Sequence, residues 1–341
     1  MPAIVHVNRR LTNVSMHYPT DFESVGDAFF MNRPVDFLSD QFATANKANL
    51  LSIRELTPIG DDDTPHEIQL KWDADNTYNC AVYAVASPGK WITQPNSDPS
   101  LDYDVERTIQ LTSSLRLRLE YLKVKQRLRN VSYMTQTRTL ASGYRFDDYQ
   151  SATSLPISVM QTISDNIGYA NNGRKPNRIA FTTHVLRAIC RSEEFKDLVK
   201  YTTIQDAKEL AKTPNGQVRL IEQLIGVAAG TIIIGDHVYN AAAEGQTPDY
   251  RAFLGSDMIF GYVEELGLRK WSLSAGFTWS AYPQTPTSIV SIPQYFRGVM
   301  QTEEYRAFTV TDPLIIRPEL GYLLKGCVNT TDTDSYGTLL D

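Results

Sequence analysis

Residues 102–131 read DYDVERTIQLTSSLRLRLEYLKVKQRLRNV, and this stretch decides the fold because it contains neither glycine nor proline. Asp102 and Asp104 offer an N-cap and an acidic first turn. Apolar side chains recur at helical spacing, at Leu111, Leu115, Leu117, Leu119, Tyr121, Leu122, Val124 and Leu128. The pattern predicts one helix over residues 101–131, about 40–45 Å long at 1.5 Å per residue.

The second half of this predicted helix is basic. Its only acid is Glu120, among the cations Arg116, Arg118, Lys123, Lys125, Arg127 and Arg129. Helical spacing places Arg116, Lys123 and Arg127 on one side. Such a ridge either complements the helix dipole as a solvated face or faces the phosphates of a polyanion. These three cations are therefore the candidates for facing DNA.

Upstream, residues 1–50 indicate an extended arm without a core of its own. Phenylalanines are scattered among polar residues, and a short helix is predicted over residues 35–50. Phe29 and Phe30 must be buried against something, either the rest of the chain or another copy of it. We expect them to contact a neighbouring copy.

Residues 51–90 predict an extended hairpin. Ile68, Leu70 and Trp72 alternate with polar residues, which is typical of a half-exposed strand. A turn is predicted at residues 74–77 and a second strand at residues 78–86. Because a lone hairpin is marginal in water, we expect Ile68, Leu70 and Trp72 to lie against a neighbouring subunit. The acidic residues 61–63 just upstream indicate a solvated turn.

From residue 155 the pattern changes to a mixed α/β domain. Helices are predicted at 157–170, 184–190 and 217–225, and strands at 178–181, 231–234, 258–263 and 273–277. Strand-like residues, interrupted by Pro313 and Pro318, end the chain.

A search for chemistry finds little. No Walker loop, GxGxxG or GxSxG motif is present. Cys80, Cys190 and Cys327 are odd in number and widely spaced, so we expect neither a disulfide framework nor a Cys-based zinc site. The pair Asp236–His237 is the best catalytic candidate, although a structural role is the simpler interpretation. We expect no catalytic, cofactor-binding or metal-binding residues.

The order of the predicted elements resembles the Hong Kong 97-like major capsid proteins of tailed double-stranded DNA phages. Local sequence is also similar: GRKPNRIAFTTHVLRAICRSEEFKDLVKY at 173–201, AFLGSDMIFGYVEEL at 252–266 and LIIRPELGYLLKGCV at 314–328. The resemblance implies an α+β capsid fold. Its parts would be an N-arm (1–50), an E-loop hairpin (51–90), a P-domain (91–154) with its spine helix at 101–131, an A-domain (155–295) and terminal strands (296–341).

The resemblance also implies a function. The chain would self-assemble into pentamers and hexamers of an icosahedral phage head that encloses double-stranded DNA without reading its sequence. Further expected partners are a scaffolding protein, a portal and a decoration protein. Covalent cross-linking through Lys71, as in some relatives, is disfavoured because Lys71 lies in mid-strand.

We expect the protein in the virion, after assembly in the host cytoplasm. The net charge of −6 fits a soluble subunit rather than a basic nucleic-acid binder. No apolar run is long enough to cross a membrane. Two alternatives stay open: an encapsulin-type cargo shell, and an α/β enzyme that uses Asp236 and His237.

Overall fold

The computed structural model describes residues 24–45, 72–88, 103–149, 151–201, 212–243, 245–264, 272–279, 290–293 and 304–329. Its helices are α1 (Val25–Phe29), α2 (Tyr103–Glu120), α3 (Pro156–Ala170), α4 (Thr183–Arg191), α5 (Glu193–Tyr201) and α6 (Pro214–Ile225). A π-helical segment, Tyr121–Leu128, continues α2, and a 3-10 turn covers Pro318–Leu320. No helix in this described part is long and apolar enough to cross a bilayer.

The strands belong to four sheets among the described residues. They are β1 (Asn32–Val35), β2 (Ser39–Ala45), β3 (Trp72–Asn79), β4 (Ala81–Pro88), β5 (Thr137–Thr139), β6 (Arg178–Phe181), β7 (Ile232–Ile234), β8 (Val238–Asn240), β9 (Tyr250–Ala252), β10 (Met258–Gly261), β11 (Ser274–Trp279), β12 (Val290–Pro293), β13 (Glu304–Ile315) and β14 (Gly321–Lys325). The mixture of helices and sheets confirms the α+β class.

The centre of the α/β domain is a five-stranded sheet in the order β5-β14-β10-β6-β7. Its side chains alternate between two apolar layers, as strand geometry requires. Along β6, Ile179 and Phe181 pack with helices α3, α4 and α6. Ala180 between them faces the other layer, which contains Val124 and Leu128 of the long helix. This sheet is therefore covered on both faces.

The long helix is confirmed, with a change of phase in its middle. Leu111 and Leu115 are buried four residues apart, but the next buried side chain, Glu120, comes five residues later. Val124 and Leu128 are buried after it, again at intervals of four. An unbroken α-helical phase would turn residues 119, 123 and 127 toward the core, and two of these are cations. The burial instead steps by five residues from Leu115 to Glu120, and the helix continues as the π-helical segment directly afterwards. Glu120, Val124 and Leu128 then take the buried positions in place of the two cations.

A second five-stranded sheet contains β1, β11, β13, β12 and β4. Strand β13 is its longest member, and β4 pairs with it over eight residues. Leu111 and Leu115 of α2 pack on one face through Ala307. Phe277 on β11 lies in the cluster of the other face, which includes Phe42 and Tyr78 of the β2–β3 pair.

The predicted hairpin turn at residues 74–77 is wrong, and so is the predicted helix over residues 35–50. Strand β3 runs through the supposed turn and pairs with β2, where Phe42 lies opposite Asn76. Residue Cys80 then joins β3 directly to β4, which pairs with β13 instead of folding back on β3. Each of the two strands finds a separate distant partner, so the chain does not reverse between them. Ile68 and Leu70 lie outside the described residues.

A buried ion pair ties the end of the long helix to the α/β domain. An Arg129 guanidinium nitrogen lies 2.7 Å from Asp257 Oδ2, with the two side chains 11% and 4% exposed. The Gly326 N–H donates to the other Asp257 oxygen at 3.1 Å. Arg129 also donates to the Phe253 carbonyl at 2.7 Å.

We expect Asp257→Ala to lower the free energy of unfolding of the subunit by about 3–5 kcal/mol, because it leaves a buried guanidinium without its counter-ion. Chemical denaturation measures the loss. The matched control is Asp249→Ala, which breaks the exposed pair with Arg251 and is expected to cost at most about 1 kcal/mol. Equal losses for the two variants would contradict the assignment.

Candidate functional site

Helix α1 is anchored to the long helix by the buried carboxylate of Glu120. Ser24 Oγ donates to Glu120 Oε2 at 2.6 Å. The Gly26 N–H donates to both Glu120 oxygens, at 2.9 and 3.1 Å. Ser24 Oγ also accepts from the Asp27 N–H as the N-cap of α1. Glu120 therefore supplies the acceptor for an N–H that the first turn of a helix leaves unpaired.

Glycines provide the space for this segment. A Cβ atom at Gly26 would lie 2.7 Å from Glu120 Oε2 and 2.8 Å from Lys123 Cβ. At Gly235 it would lie 2.5 Å from Val25 Cγ2, and at Gly261 2.9 Å from a ring carbon of Phe29. Both distances are far below an ordinary carbon–carbon contact. The close packing of α1 therefore requires glycines at positions that lie far apart in the sequence.

Phe29 and Phe30 do not offer surface to a neighbouring copy, which corrects the expectation from the sequence. Their side chains are 0% and 2% exposed within the subunit itself. Both pack in the layer that contains Leu128, on the second face of the central sheet. The arm segment, residues 24–35, therefore buries its rings in its own chain.

The cations predicted to face DNA lie close to acids of the same subunit. Lys123 forms an ion pair with Asp27. Arg127 lies 3.6 Å from Asp312 and stacks over the Tyr133 ring at 4.6 Å. Arg116 is half-buried and contributes to the electrostatic field at Asp27. The charges of Lys123 and Arg127 are thus compensated within the subunit.

The Asp236–His237 pair occupies a structural position. Asp236 accepts hydrogen bonds from the backbone N–H of Thr183, at 2.7 Å, and from its hydroxyl. It thereby caps the N-terminus of α4 from the strand connection after β7. The backbone carbonyl of His237 accepts from the Phe253 N–H at 3.1 Å. Within the described ranges, no three His, Cys, Asp or Glu side chains are grouped to hold a metal ion.

Of the three residues expected at a hairpin interface, only Trp72 is in the described part, where its backbone pairs with Ala45 at the end of the β2–β3 pair. The sequence reasoning missed the site around Glu120. Two signals were available: Ser24-Val25-Gly26-Asp27 has the S-x-x-D pattern of a helix N-terminus, and Glu120 is the single acid in a basic stretch.

Comparison with known proteins gives a result only at the level of structure. No protein family model and no curated protein matches the chain. A phage-related protein from Bordetella bronchiseptica matches with a TM-score of 0.67 and 16% identity, over 95% of this chain and 98% of that one. The mature capsid protein of bacteriophage PhiM1 matches with a TM-score of 0.50 and 11% identity, over 90% and 88%. An encapsulin complex from Synechococcus elongatus gives 0.50 and 11%, over 95% and 98%.

These matches define the class of fold. Phage capsid and encapsulin shell proteins share it, and the likeness covers nearly the whole length of each chain. The chain therefore has the Hong Kong 97-like capsid fold that the order of its elements predicted.

The stability of the subunit should depend on pH through Glu120. Burial raises the pKa of Glu120 above its ordinary value of 4.5, and hydrogen bonds from Ser24 and Gly26 offset this only in part. The pKa of Glu120 is therefore higher in the folded than in the unfolded state. The stability that protonated Glu120 contributes is fully present below pH 4.5 and is lost as pH rises through the folded-state pKa. The free energy of unfolding of the wild type, relative to Glu120→Gln, should fall over that window.

Chemical denaturation at a series of pH values measures this difference. Ser24→Ala is the matched control, since it removes the hydrogen bond to Glu120 and the N-cap bond from Asp27 but keeps the titrating group. It therefore keeps a pH-dependent difference from Glu120→Gln. A difference between wild type and Glu120→Gln that stays constant with pH would contradict the prediction.

Proposed function

We propose that this chain is the major capsid protein of a tailed phage, which self-assembles into pentamers and hexamers of an icosahedral head around double-stranded DNA. The observation that carries the proposal is the fold match along nearly the entire chain, with a TM-score of 0.67 to a phage-related protein. The protein acts as a structural subunit, without a catalytic role. It is located in the virion after assembly in the host cytoplasm.

The β2–β3 pair supports self-association. Among the described residues these two strands pair only with each other. A two-stranded ribbon is marginal in water unless it lies on another surface. Phe42 and Tyr78 fix its base on Phe277, and residues 46–71 lie between its two strands. We propose that Ile68, Leu70 and Trp72 contact a neighbouring subunit there.

A shell also sets requirements on its interfaces. Closed symmetric assemblies reuse one set of surfaces around rings, and obligate interfaces bury more than about 2,000 Å² in total. A scaffolding protein, a portal and a decoration protein are the further partners that we propose for such a head. Contact with packaged DNA would be non-specific and through phosphates.

An encapsulin-type cargo shell is the second candidate, because an encapsulin complex matches at the same TM-score as the PhiM1 capsid. The two functions differ in what the particle encloses. Nucleic acid resistant to added nuclease inside particles purified from producing cells supports the phage head. A protein cargo without nucleic acid would favour the encapsulin.

Replacing residues 46–71 by Asn-Gly should abolish shell assembly and leave the subunit folded. Ala45 and Trp72 are cross-strand partners, so a two-residue turn can join them. The replacement stops at residue 71 because β3 and β4 follow. Electron microscopy detects particles, and circular dichroism reports folding. Normal shells from this variant would show that residues 46–71 are dispensable for assembly.

Single substitutions in the full-length chain provide the matched comparison. Trp72→Ala should reduce the assembled fraction more than Lys71→Ala, because neighbouring residues of a strand point to opposite faces. Equal effects would show that the apolar face of the strand is not the interface.

The double variant Lys123→Gln/Arg127→Gln tests the role of the cations. Because both charges lie close to acids of their own subunit, we expect a loss of stability of roughly 1–2 kcal/mol, with unchanged DNA content in each assembled particle. Denaturation and the ratio of DNA to protein measure the two effects. Loss of DNA at unchanged subunit stability would instead support the DNA-facing role first predicted for Arg116, Lys123 and Arg127.

A further inference from the structure

The chain leaves the α/β domain beside a loop formed by residues 140–155, called here the exit loop. Beyond strand β14 the chain runs alongside this loop in the same direction. Three hydrogen bonds show the progression: Leu140 N–H to the Lys325 carbonyl (3.0 Å), Phe146 N–H to the Cys327 carbonyl (2.7 Å), and Asn329 N–H to Asp147 Oδ2 (2.7 Å). Asn329, the last described residue of this segment, is therefore held at Asp147 of the exit loop.

The exit loop presents three large apolar side chains to solvent, on both sides of Asp147 in the sequence. Tyr144, Tyr149 and Leu155 are 47%, 38% and 42% exposed. The loop is closed on itself, since Ser154 Oγ donates to the Arg145 carbonyl at 2.7 Å. Its two tyrosine rings and Leu155 are therefore exposed on an ordered loop, and covering them with another segment would remove apolar surface from water.

Two buried polar atoms on the same loop also lack a partner. Arg145 Nε and Asp147 Oδ1 have no hydrogen bond within the described part of the chain. Both residues already bind Asn329, because Arg145 donates to its side-chain oxygen at 2.7 Å and Asp147 accepts from its N–H. An unpaired buried polar group is costly, so a further donor and acceptor are needed at the point where the chain exits.

The residues that follow have the matching chemistry. Residues 330–341 read TTDTDSYGTLLD, an acidic portion followed by Tyr336, Leu339 and Leu340. Twelve residues reach about 40 Å when extended, which is ample to run along the exit loop. Asp332 and Asp334 complement the Arg145 guanidinium, and the apolar end complements the exposed rings.

We propose that residues 330–341 lie along the exit loop of the same subunit and cover Tyr144, Tyr149 and Leu155. The tether at Asn329 gives this segment a high effective concentration at its own loop, well above that of a segment from another subunit. Covering these rings keeps an apolar surface of the subunit from associating non-specifically. The proposal does not rest on the proposed function.

Amide hydrogen exchange on the full-length chain tests this. In Leu339→Ser/Leu340→Ser, the amides of residues 147–151 should exchange about tenfold faster than in the wild type, a change that corresponds to about 1.4 kcal/mol. Thr338→Ser is the matched control and should leave the rate unchanged. In the reciprocal experiment, Tyr144→Ser/Tyr149→Ser should accelerate exchange in residues 336–340. Unchanged exchange in β10 shows that the fold is retained.

Two results would overturn the proposal. One is exchange of residues 336–340 in the wild type at the rate of an unstructured peptide, with exit-loop rates indifferent to the leucine substitutions. The other is protection that rises with protein concentration, which would show that the segment docks on a second copy. Protection that is independent of concentration and lost in both double variants supports docking within the subunit.

Discussion

The central sheet is apolar on both faces, and the need to cover its second face organises much of the subunit. Helices α3, α4 and α6 cover the first face with residues that follow one another in the chain. The second face is covered by the end of the long helix and by the arm segment, which come from distant parts of the sequence. The long helix must therefore present Val124 and Leu128 to the sheet, and this fixes the phase of its second half.

The position of Glu120 follows from that phase. With Val124 and Leu128 turned inward, Glu120 becomes buried as well. A buried carboxylate requires donors, and the first turn of α1 supplies Ser24 and Gly26. The arm segment thus solves two problems together: it fills the second apolar layer, and it satisfies the one acid that the helix phase places inside.

The sequence predicted the elements whose signals are local. The long helix was found because its apolar period and its lack of glycine and proline are continuous over residues 102–131. The strands and helices predicted for the α/β domain were found for the same reason, but helix α5 and the short strands β8 and β9 were not predicted. The ribbon was misplaced, because residues 74–77 are typical turn formers. In the structure the Asn76 side chain instead donates across the ribbon to Thr44 at 3.1 Å. A pairing strand about thirty residues upstream cannot be recognised from the local sequence. The same holds for the distant glycines against which α1 and Phe29 pack.

The connection through Cys80 determines how the ribbon would carry mechanical load. A pull along β3 passes straight into β4, which is joined to β13 by a register of eight residues. Tension along β4 loads these bonds in shear, so they share the force and must fail together. A ribbon attached at right angles to its sheet would peel away one bond at a time. Strand β13 is also paired with β11 and β12 on its opposite side. Force that enters through the ribbon is therefore spread over the whole sheet before it reaches the core.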